Sequence, residues 1–176
     1  QGIGLPNLCD SLMIIKKFIF DNKKYTYKEL MEALRNNFEG KYSIIREEFV
    51  NDETKYGNDI DEVDNISADI LRYYCKEVEK YSNPRGGKFI PGSYTVSAHI
   101  PLGEVVGATP DGRYSGEQLA DGGLSPMFGR DIFGPTAVLK SLSKLDNVLL
   151  TNGSLLNVKL NPSAVNTDEG INKFVD

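Results

Sequence analysis

The sequence has few of the residues on which the commonest catalytic and metal sites depend. It contains one histidine, His99, and two cysteines, Cys9 and Cys75, in 176 residues. A single histidine argues against a zinc site and against a histidine-based catalytic triad. The cysteines lack Cys-x-x-Cys spacing, and each stands among apolar residues at helical positions. Both are therefore predicted to be buried thiols.

Long apolar runs and clusters of basic residues are also missing. The longest apolar run lies around residues 12–15, far short of the roughly 20 residues that span a bilayer, and no secretion signal precedes it. The net charge is -5, the pI is about 5.0, and no stripe of Lys and Arg could replace the counterions of a nucleic acid. These absences argue against nucleic-acid and membrane partners and predict a cytoplasmic globular protein.

Self-contained catalytic motifs are absent as well. No Gly-x-Gly-x-x-Gly sequence follows a strand pattern, and no Gly-x-Ser-x-Gly sequence occurs. The glycines in "PRGGKF", residues 84–89, lack the spacing and the Ser or Thr of a phosphate-binding loop. The chain by itself is therefore predicted to bind no metal and no cofactor.

Residues 1–82 carry apolar side chains at three- and four-residue steps, the spacing of amphipathic helices. Asn7 is placed to cap the first helix, and Thr26 with Glu29 predicts a capping box at the start of the second. The predicted helices cover residues 7–20, 27–38, 41–50 and 59–81.

The last of these helices begins with three acidic residues, Asp59, Asp61 and Asp64. They suit the positive end of the helix dipole and are most simply a solvated helix start. The alternative, a metal site, lacks the glycine and the distal glutamate of a calcium loop.

The composition changes after residue 82. Residues 83–135 hold 11 of the 17 glycines and six of the eight prolines, and this part is predicted to consist of loops with two strands, at 93–100 and 103–108. Residues 136–176 read as a helix that starts near Pro135, a strand at about 154–160 and a final helix. The fold class predicted from these three parts is mixed α/β.

The Gly-rich stretch from Gly107 to Asp131 is predicted to be an ordered loop, because it also carries apolar residues that need burial. Within it, Asp111 and Gly112 form the core of a tight turn in "PDGR". Four charged residues of this stretch are expected to pair with one another or to bind exposed backbone groups: Arg113, Asp121, Arg130 and Asp131.

The strand predicted at 93–103, "SYTVSAHIPLG", alternates between two faces. Ile100 falls on one face and His99 on the other. His99 has two interpretations, a hydrogen-bonded core residue or a histidine that lines a cleft and titrates near neutral pH.

The segment "HIPLGEVVGATPDGRYSGEQLADGGLSPMFGRDIFGPTAVLKSLSKLD" closely resembles the late part of the glycyl radical enzymes, the superfamily of pyruvate formate-lyase, glycerol dehydratase and choline trimethylamine-lyase. Further blocks of the family resemble "NLCDSLMIIKKFIF", "LMEALRNNFEG", "KYGNDIDEVD" and "NGSLLNVKLNPSA", so the likeness runs from residue 2 to residue 176.

The resemblance implies a part of a ten-stranded β/α barrel in which two finger loops meet, one with a cysteine and one with a glycine. A radical S-adenosylmethionine activating enzyme with an iron–sulfur cluster takes hydrogen from that glycine, and the cysteine becomes the thiyl that attacks the substrate. The parent enzyme is expected to be a homodimer of anaerobic metabolism. Gly-rich packed loops such as residues 107–131 would seal the barrel against water.

The family's catalytic motifs do not occur in this sequence. Neither Cys9 nor Cys75 follows a glycine as the family's cysteine does, and no Arg-Val-x-Gly sequence is present. No catalytic residue is therefore assigned. The chain is expected to be a late-middle fragment of a longer protein, to need the remainder of that protein, and to be inactive alone.

"LADGGLSP", residues 119–126, favours the dehydratase and C–N lyase branch, which eliminates water or an amine from a small hydroxylated substrate. By resemblance, the end of the 93–103 strand shapes the substrate pocket, which makes Ile100 the leading wall residue and His99 the second. Two alternatives stay open: a fragment of a formate C-acetyltransferase, and a binding or scaffolding domain without catalysis.

Overall fold

The computed structural model describes residues 1–159, 161–164 and 166–175. It begins with helix α1, Leu5–Ile14, which a π-helical segment, Ile15–Asp21, continues. The predicted helix at 7–20 is therefore confirmed, but it starts two residues earlier. Pro6 fits the first turn, where a helix needs no N–H donor, and Gly4 is the N-cap. The prediction that Asn7 caps the helix is wrong.

Two short helices and an aromatic cluster follow. Helix α2, Tyr27–Arg35, starts at the predicted capping box, in which the Thr26 hydroxyl accepts from the Glu29 N–H and the Glu29 carboxylate accepts from the Thr26 N–H. Helix α3 covers Ser43–Asn51, after a 3-10 turn at Gly40–Tyr42. Phe49 of α3 packs in one apolar cluster with Leu30 and Ala33 of α2. Its ring centroid lies 5.1 Å from that of Phe18 in an edge-on arrangement.

Helix α4, Asp61–Val78, is the longest described helix and packs along α1. The shared core contains both cysteines, which are free thiols and almost fully buried. The prediction of buried thiols is confirmed. Burial raises the pKa of Cys9 to about 12, so this thiol stays protonated at neutral pH.

The strands predicted at 93–100 and 103–108 are wrong. Residues 96–98 form a turn, with the Ala98 N–H bound to the Thr95 carbonyl at 2.8 Å, and residues His99–Glu104 form helix α5. Pro101 is tolerated because it lies in the first turn of this helix. Alternating β-branched residues suggested a strand, but a strand also needs a paired neighbour. Within the described part of the chain, Ser93 is the only residue of these two segments that pairs, in a single parallel bridge with Ser154.

The remaining elements are helix α6, Pro135–Ser143, helix α7, Asp168–Val175, and two 3-10 turns, Asn147–Leu149 and Pro162–Ala164. Pro135 starts α6 as predicted. The strand predicted at 154–160 is wrong for residues 154–159 apart from the bridge at Ser154, and residue 160 lies outside the described residues. Among the described residues, no helix has both the length and the apolar character needed to cross a bilayer.

Candidate functional site

The most densely bonded part of the loop-rich half is the turn at residues 109–113. The Gly112 N–H binds the Thr109 carbonyl at 2.9 Å, and the Thr109 N–H binds the Arg113 carbonyl at 3.1 Å. Gly112 has a φ of 92°, a conformation that glycine adopts without strain. A Cβ at this position would lie 2.6 Å from Cγ2 of Val50, so the turn is pressed against the end of α3.

Asp111 fastens this turn to α1. Its side chain is fully buried and accepts hydrogen bonds from the amide of Asn7, at 2.8 Å, and from the hydroxyl of Thr109. Its own N–H donates to the hydroxyl of Ser11 at 3.2 Å. The amide oxygen of Asn7 accepts from the N–H of Ala120 at 2.8 Å, so Asn7 binds two parts of the loop at once.

Arg113 is buried and binds backbone oxygens. Its guanidinium donates to the carbonyls of Val106, Gly107 and Glu117, which lie on both sides of the turn. Its side chain is only 1% exposed, and no described carboxylate lies within ion-pair distance of it. Arg113 therefore closes the loop by satisfying carbonyl groups that have no partner in a helix or sheet.

Asp10 of α1 and Lys55, in the segment before α4, form a buried pair of opposite charge. One carboxylate oxygen of Asp10 accepts from the N–H of Tyr56 at 2.8 Å, while the other and the ammonium of Lys55 have no hydrogen-bond partner within the described part of the chain. Burial raises the pKa of Asp10 and lowers that of Lys55, and each charge opposes the shift of the other.

The other three charged residues that were expected to pair, Asp121, Arg130 and Asp131, lie apart from one another. Asp121 accepts from the amide of Asn157 at 3.2 Å, and Arg130 donates to the carbonyl of Val50 at 3.3 Å. Asp131 is exposed at the edge of a shallow cleft beside α6. Each therefore contacts a different neighbour, and the structure does not bring them together.

His99 and Ile100 lie next to each other at the start of α5, not on opposite faces of a strand. His99 is 9% exposed, and its Nδ1 has no partner among the described residues, while its carbonyl accepts from the N–H of Leu119 at 3.1 Å. Ile100 is 45% exposed. A Cβ at Gly103 would lie 2.3 Å from the carbonyl oxygen of Glu117, so α5 packs directly on the loop backbone.

The three aspartates at the start of α4 bind a lysine. The ammonium of Lys144 lies 2.7 Å from Asp59, 2.8 Å from Asp61 and 2.8 Å from Asp64. Asp64 is fully buried and also accepts from the hydroxyl of Ser141. The expectation of a solvated helix start is therefore wrong for Asp64, because the end of α6 covers it. No group of side chains suited to a metal ion occurs in the described ranges.

Sequence reasoning missed three of these residues. Asn7 binds the loop, Asp10 binds the segment before α4, and Lys55 supplies the buried charge opposite Asp10. Asn7 and Asp10 lie on the same helix as the apolar residues Cys9 and Met13, and a polar residue within such a helix was a signal that could have been read. Lys55 has no such signal, since its segment has no periodic pattern.

The buried groups around the turn therefore bind backbone amides and carbonyls and fix the positions of loops.

Two family models match the chain, one in its first part and one in its last part. The one described as "Pyruvate formate lyase-like" covers residues 1–103, and the one described as "Glycine radical" covers residues 120–176. The chain belongs to the pyruvate formate lyase-like family. The recognition made from sequence motifs is confirmed.

Similar proteins match over almost all of this chain. Trans-4-hydroxy-L-proline dehydratase of Clostridioides difficile is 39% identical over 100% of the chain and 22% of the relative. The glycerol-bound structure of the B12-independent glycerol dehydratase of Clostridium butyricum is 48% identical with a TM-score of 0.90, over 99% of this chain and 22% of that one. The structure of a glycyl radical enzyme of Archaeoglobus fulgidus is 37% identical with a TM-score of 0.87, over 97% of this chain and 21% of that one.

The chain thus spans about a fifth of the length of these relatives, and its fold is that of the matching part of a glycyl radical enzyme. The predicted fold class, part of the barrel of a glycyl radical enzyme, is confirmed by these structures. The strands predicted at 93–100 and 103–108 are not formed.

Proposed function

We propose that the protein is part of a glycyl radical dehydratase or lyase that eliminates water or an amine from a small hydroxylated substrate. The observation that carries this proposal is the likeness to the glycerol dehydratase, at 48% identity and a TM-score of 0.90 over 99% of the chain. The 39% identity to a dehydratase of trans-4-hydroxy-L-proline supports the same reaction class.

The reaction needs a radical, an abstractable hydrogen and a leaving group. A cysteine thiyl takes a hydrogen atom from the carbon next to the one that carries the leaving group, which gives a thiol and a carbon radical. In a diol or an amino alcohol, the hydroxyl on the radical carbon gives up its proton and becomes a carbonyl, while the neighbouring hydroxyl takes up a proton and leaves as water, or an ammonium group leaves as the amine. The radical then lies on the carbon that lost the group, and the thiol returns its hydrogen atom to that carbon. Water has to be kept out while the radicals exist.

The residues of this chain are proposed to build part of the cavity wall and not to react. Cys9 and Cys75 are buried in helices and have raised pKa values, so neither is placed to meet a substrate. We assign the reacting cysteine and the radical glycine to other parts of the whole protein. A radical S-adenosylmethionine activating enzyme, a homodimeric parent and a cytoplasmic location belong to the same proposal.

Ile100 is proposed as a residue of the substrate-pocket wall, with His99 as the second candidate. Ile100 is half exposed at the start of α5, where a partner surface or a substrate can reach it. In the whole protein, Ile100→Ala should enlarge the pocket and reduce discrimination between substrates by about 1–3 kcal/mol in kcat/KM. Unchanged selectivity in Ile100→Ala, with turnover lost in a folded His99→Ala, would show that His99 faces the substrate.

The test is to produce the whole protein with its activating enzyme and S-adenosylmethionine under anaerobic conditions. We expect a glycyl radical signal in electron paramagnetic resonance and elimination of water from glycerol or trans-4-hydroxy-L-proline or a related compound. The 176-residue chain treated in the same way should give neither. Formation of acetyl-coenzyme A from pyruvate by the whole protein would instead establish a formate acetyltransferase, and a radical in the short chain would show that the radical glycine lies within it.

A further inference from the structure

Two arginines face one open cleft on the loop-rich half. The cleft has a volume of about 350 Å³ and lies between α3 and the loop. Its lining residues are Arg46, Glu117, Gln118, Met127, Phe128 and Arg130. Guanidinium groups that share a cleft repel each other unless an anion lies between them.

Arg46 is held in a fixed position. Its Nε donates to the carbonyl of Gly112 at 2.8 Å, and its guanidinium carbon lies 3.7 Å from the ring centroid of Tyr114. These contacts use one N–H and one face of the group. Its two terminal amino groups have no acceptor among the described residues and remain available to a ligand.

Arg130 is also held on one side only. One of its terminal nitrogens donates to the carbonyl of Val50 at 3.3 Å, while its Nε is buried and has no hydrogen-bond acceptor in the part of the chain described. Burial lowers the pKa of Arg130, the charges of Asp111 and Asp10 oppose this shift, and the charge of Arg46 adds to it. A buried N–H without an acceptor is costly. The second terminal nitrogen of Arg130 also has no acceptor among the described residues, is not buried, and is the donor that an anion in the cleft can reach.

Glu117 is the one carboxylate among the residues that line the cleft, and it does not neutralise the pair. Its Oε2 accepts from the N–H of Tyr114 at 2.9 Å. Its carboxylate oxygens form no ion pair with the guanidinium nitrogens of Arg46 or Arg130, two residues that the structure describes in full. Among the residues that line the cleft, two positive charges therefore face one negative charge, and the carboxylates of Asp111 and Asp10, which also act on Arg130, lie outside the lining.

We propose that this cleft binds a small oxyanion, a phosphate or a carboxylate, between Arg46 and Arg130. Guanidinium groups bind such anions through paired N–H donors, and a ligand that bridges the two would use donors that are otherwise unpaired. This site is separate from the proposed radical chemistry and does not depend on it.

The first experiment follows the Arg130 Nε–H signal by NMR while the 176-residue chain is titrated with inorganic phosphate at constant ionic strength. We expect a saturable shift with a dissociation constant on the order of 1 mM. The side chain of the exposed Arg85 serves as the internal control and should not saturate. A parallel titration with acetate shows whether a carboxylate is also bound. No saturation at Arg130, or an equal response at Arg85, would overturn the proposal.

Substitutions at Gln118 test the charge of the cleft. Gln118 is exposed, so its replacement should leave the fold intact. Gln118→Glu places a second carboxylate at the cleft and should weaken phosphate binding by about tenfold or more, whereas the neutral Gln118→Met should change it by less than about threefold. In Arg130→Gln, with its fold checked by circular dichroism, the Nε–H signal of Arg46 is followed instead, and its saturable shift with phosphate should be lost. Wild-type affinity in Gln118→Glu would contradict the site.

Discussion

Residues 27–51 and 107–131 are equally long, but different interactions hold them. The first segment forms α2 and α3 and buries apolar side chains around Phe49. The second contains no helix, and its backbone is held by buried polar groups, chiefly Asn7, Asp111 and Arg113. Periodic apolar burial can be read from sequence, whereas polar contacts between distant residues cannot.

The largest effect is expected at the centre of the apolar segment. Phe49 is fully buried and contacts three aromatic rings. Phe49→Ala should lower the free energy of unfolding by about 3–5 kcal/mol, because it leaves a cavity that the rigid rings cannot fill. Urea denaturation measures this. Phe20→Ala, at a side chain that is 67% exposed, is the matched control and should cost less than about 1 kcal/mol.

A loss of stability nearly as large is expected in the polar segment, residues 107–131. Arg113→Met keeps the length of the side chain but removes the donor of the Gly107 and Glu117 carbonyls, while the Val106 carbonyl keeps its bond from the Gly116 N–H. We therefore expect a loss of about 3 kcal/mol in the free energy of unfolding. Arg85→Met, at an exposed position in the same half, should be close to neutral. If both variants were neutral, buried polar contacts would not be what holds the loop.

The third prediction concerns the backbone of the turn. Gly112→Ala adds a Cβ that would lie 2.6 Å from Val50 at a φ of 92°, and should cost about 2 kcal/mol. Gly86 has a φ of 83° with open space around it, so Gly86→Ala measures the cost of the backbone conformation alone. Equal losses in the two variants, measured by thermal unfolding, would show that the contact with α3 is loose.

The smallest predicted effect depends on pH. Burial of Asp52 opposes ionisation, but its ion pair with Lys17 at 2.6 Å and its hydrogen bonds from Thr54 lower the pKa of this carboxyl overall. A lowered folded-state pKa means that the stabilisation is present above the unfolded pKa of about 3.9 and is lost as the pH falls through the folded value.

Asp52→Asn should therefore reduce the free energy of unfolding at pH 7 by about 1 kcal/mol or less, since Lys17 is partly exposed to solvent. The difference from the wild-type chain should disappear in acid. Asp69→Asn, which removes an exposed pair with Arg72, is the control and should show a smaller difference at pH 7. A difference that persisted in acid would exclude the charge as its cause.

The elements with a local signal could be predicted from sequence. The capping box at Thr26, the turn at Gly112 and the start of α6 at Pro135 each depend on residues within a few positions of one another. The strand predicted at 93–100 failed because β-branched residues specify an extended chain only where a neighbouring strand pairs with them. The described residues supply a single bridge there.

The loop site was predictable only where its contacts join residues close together in the sequence. Asp111 and Gly112 were found as a turn, but the partner of Asp111 is Asn7, 104 residues earlier, and no local pattern connects them. Asp59 and Asp64 likewise bind Lys144, which lies at the far end of α6. Long-range polar contacts of this kind are set by the fold as a whole.

The central claim is that buried side chains hold the Gly-rich loop as firmly as helices hold the first half. Hydrogen exchange at the amides of Asp111 and Ala120 tests it most directly, because these N–H groups bind the Ser11 hydroxyl and the Asn7 amide oxygen instead of a backbone carbonyl. We predict protection comparable to that of amides in the middle of α4. Exchange of both amides within about tenfold of the rate of an unstructured chain would contradict the claim.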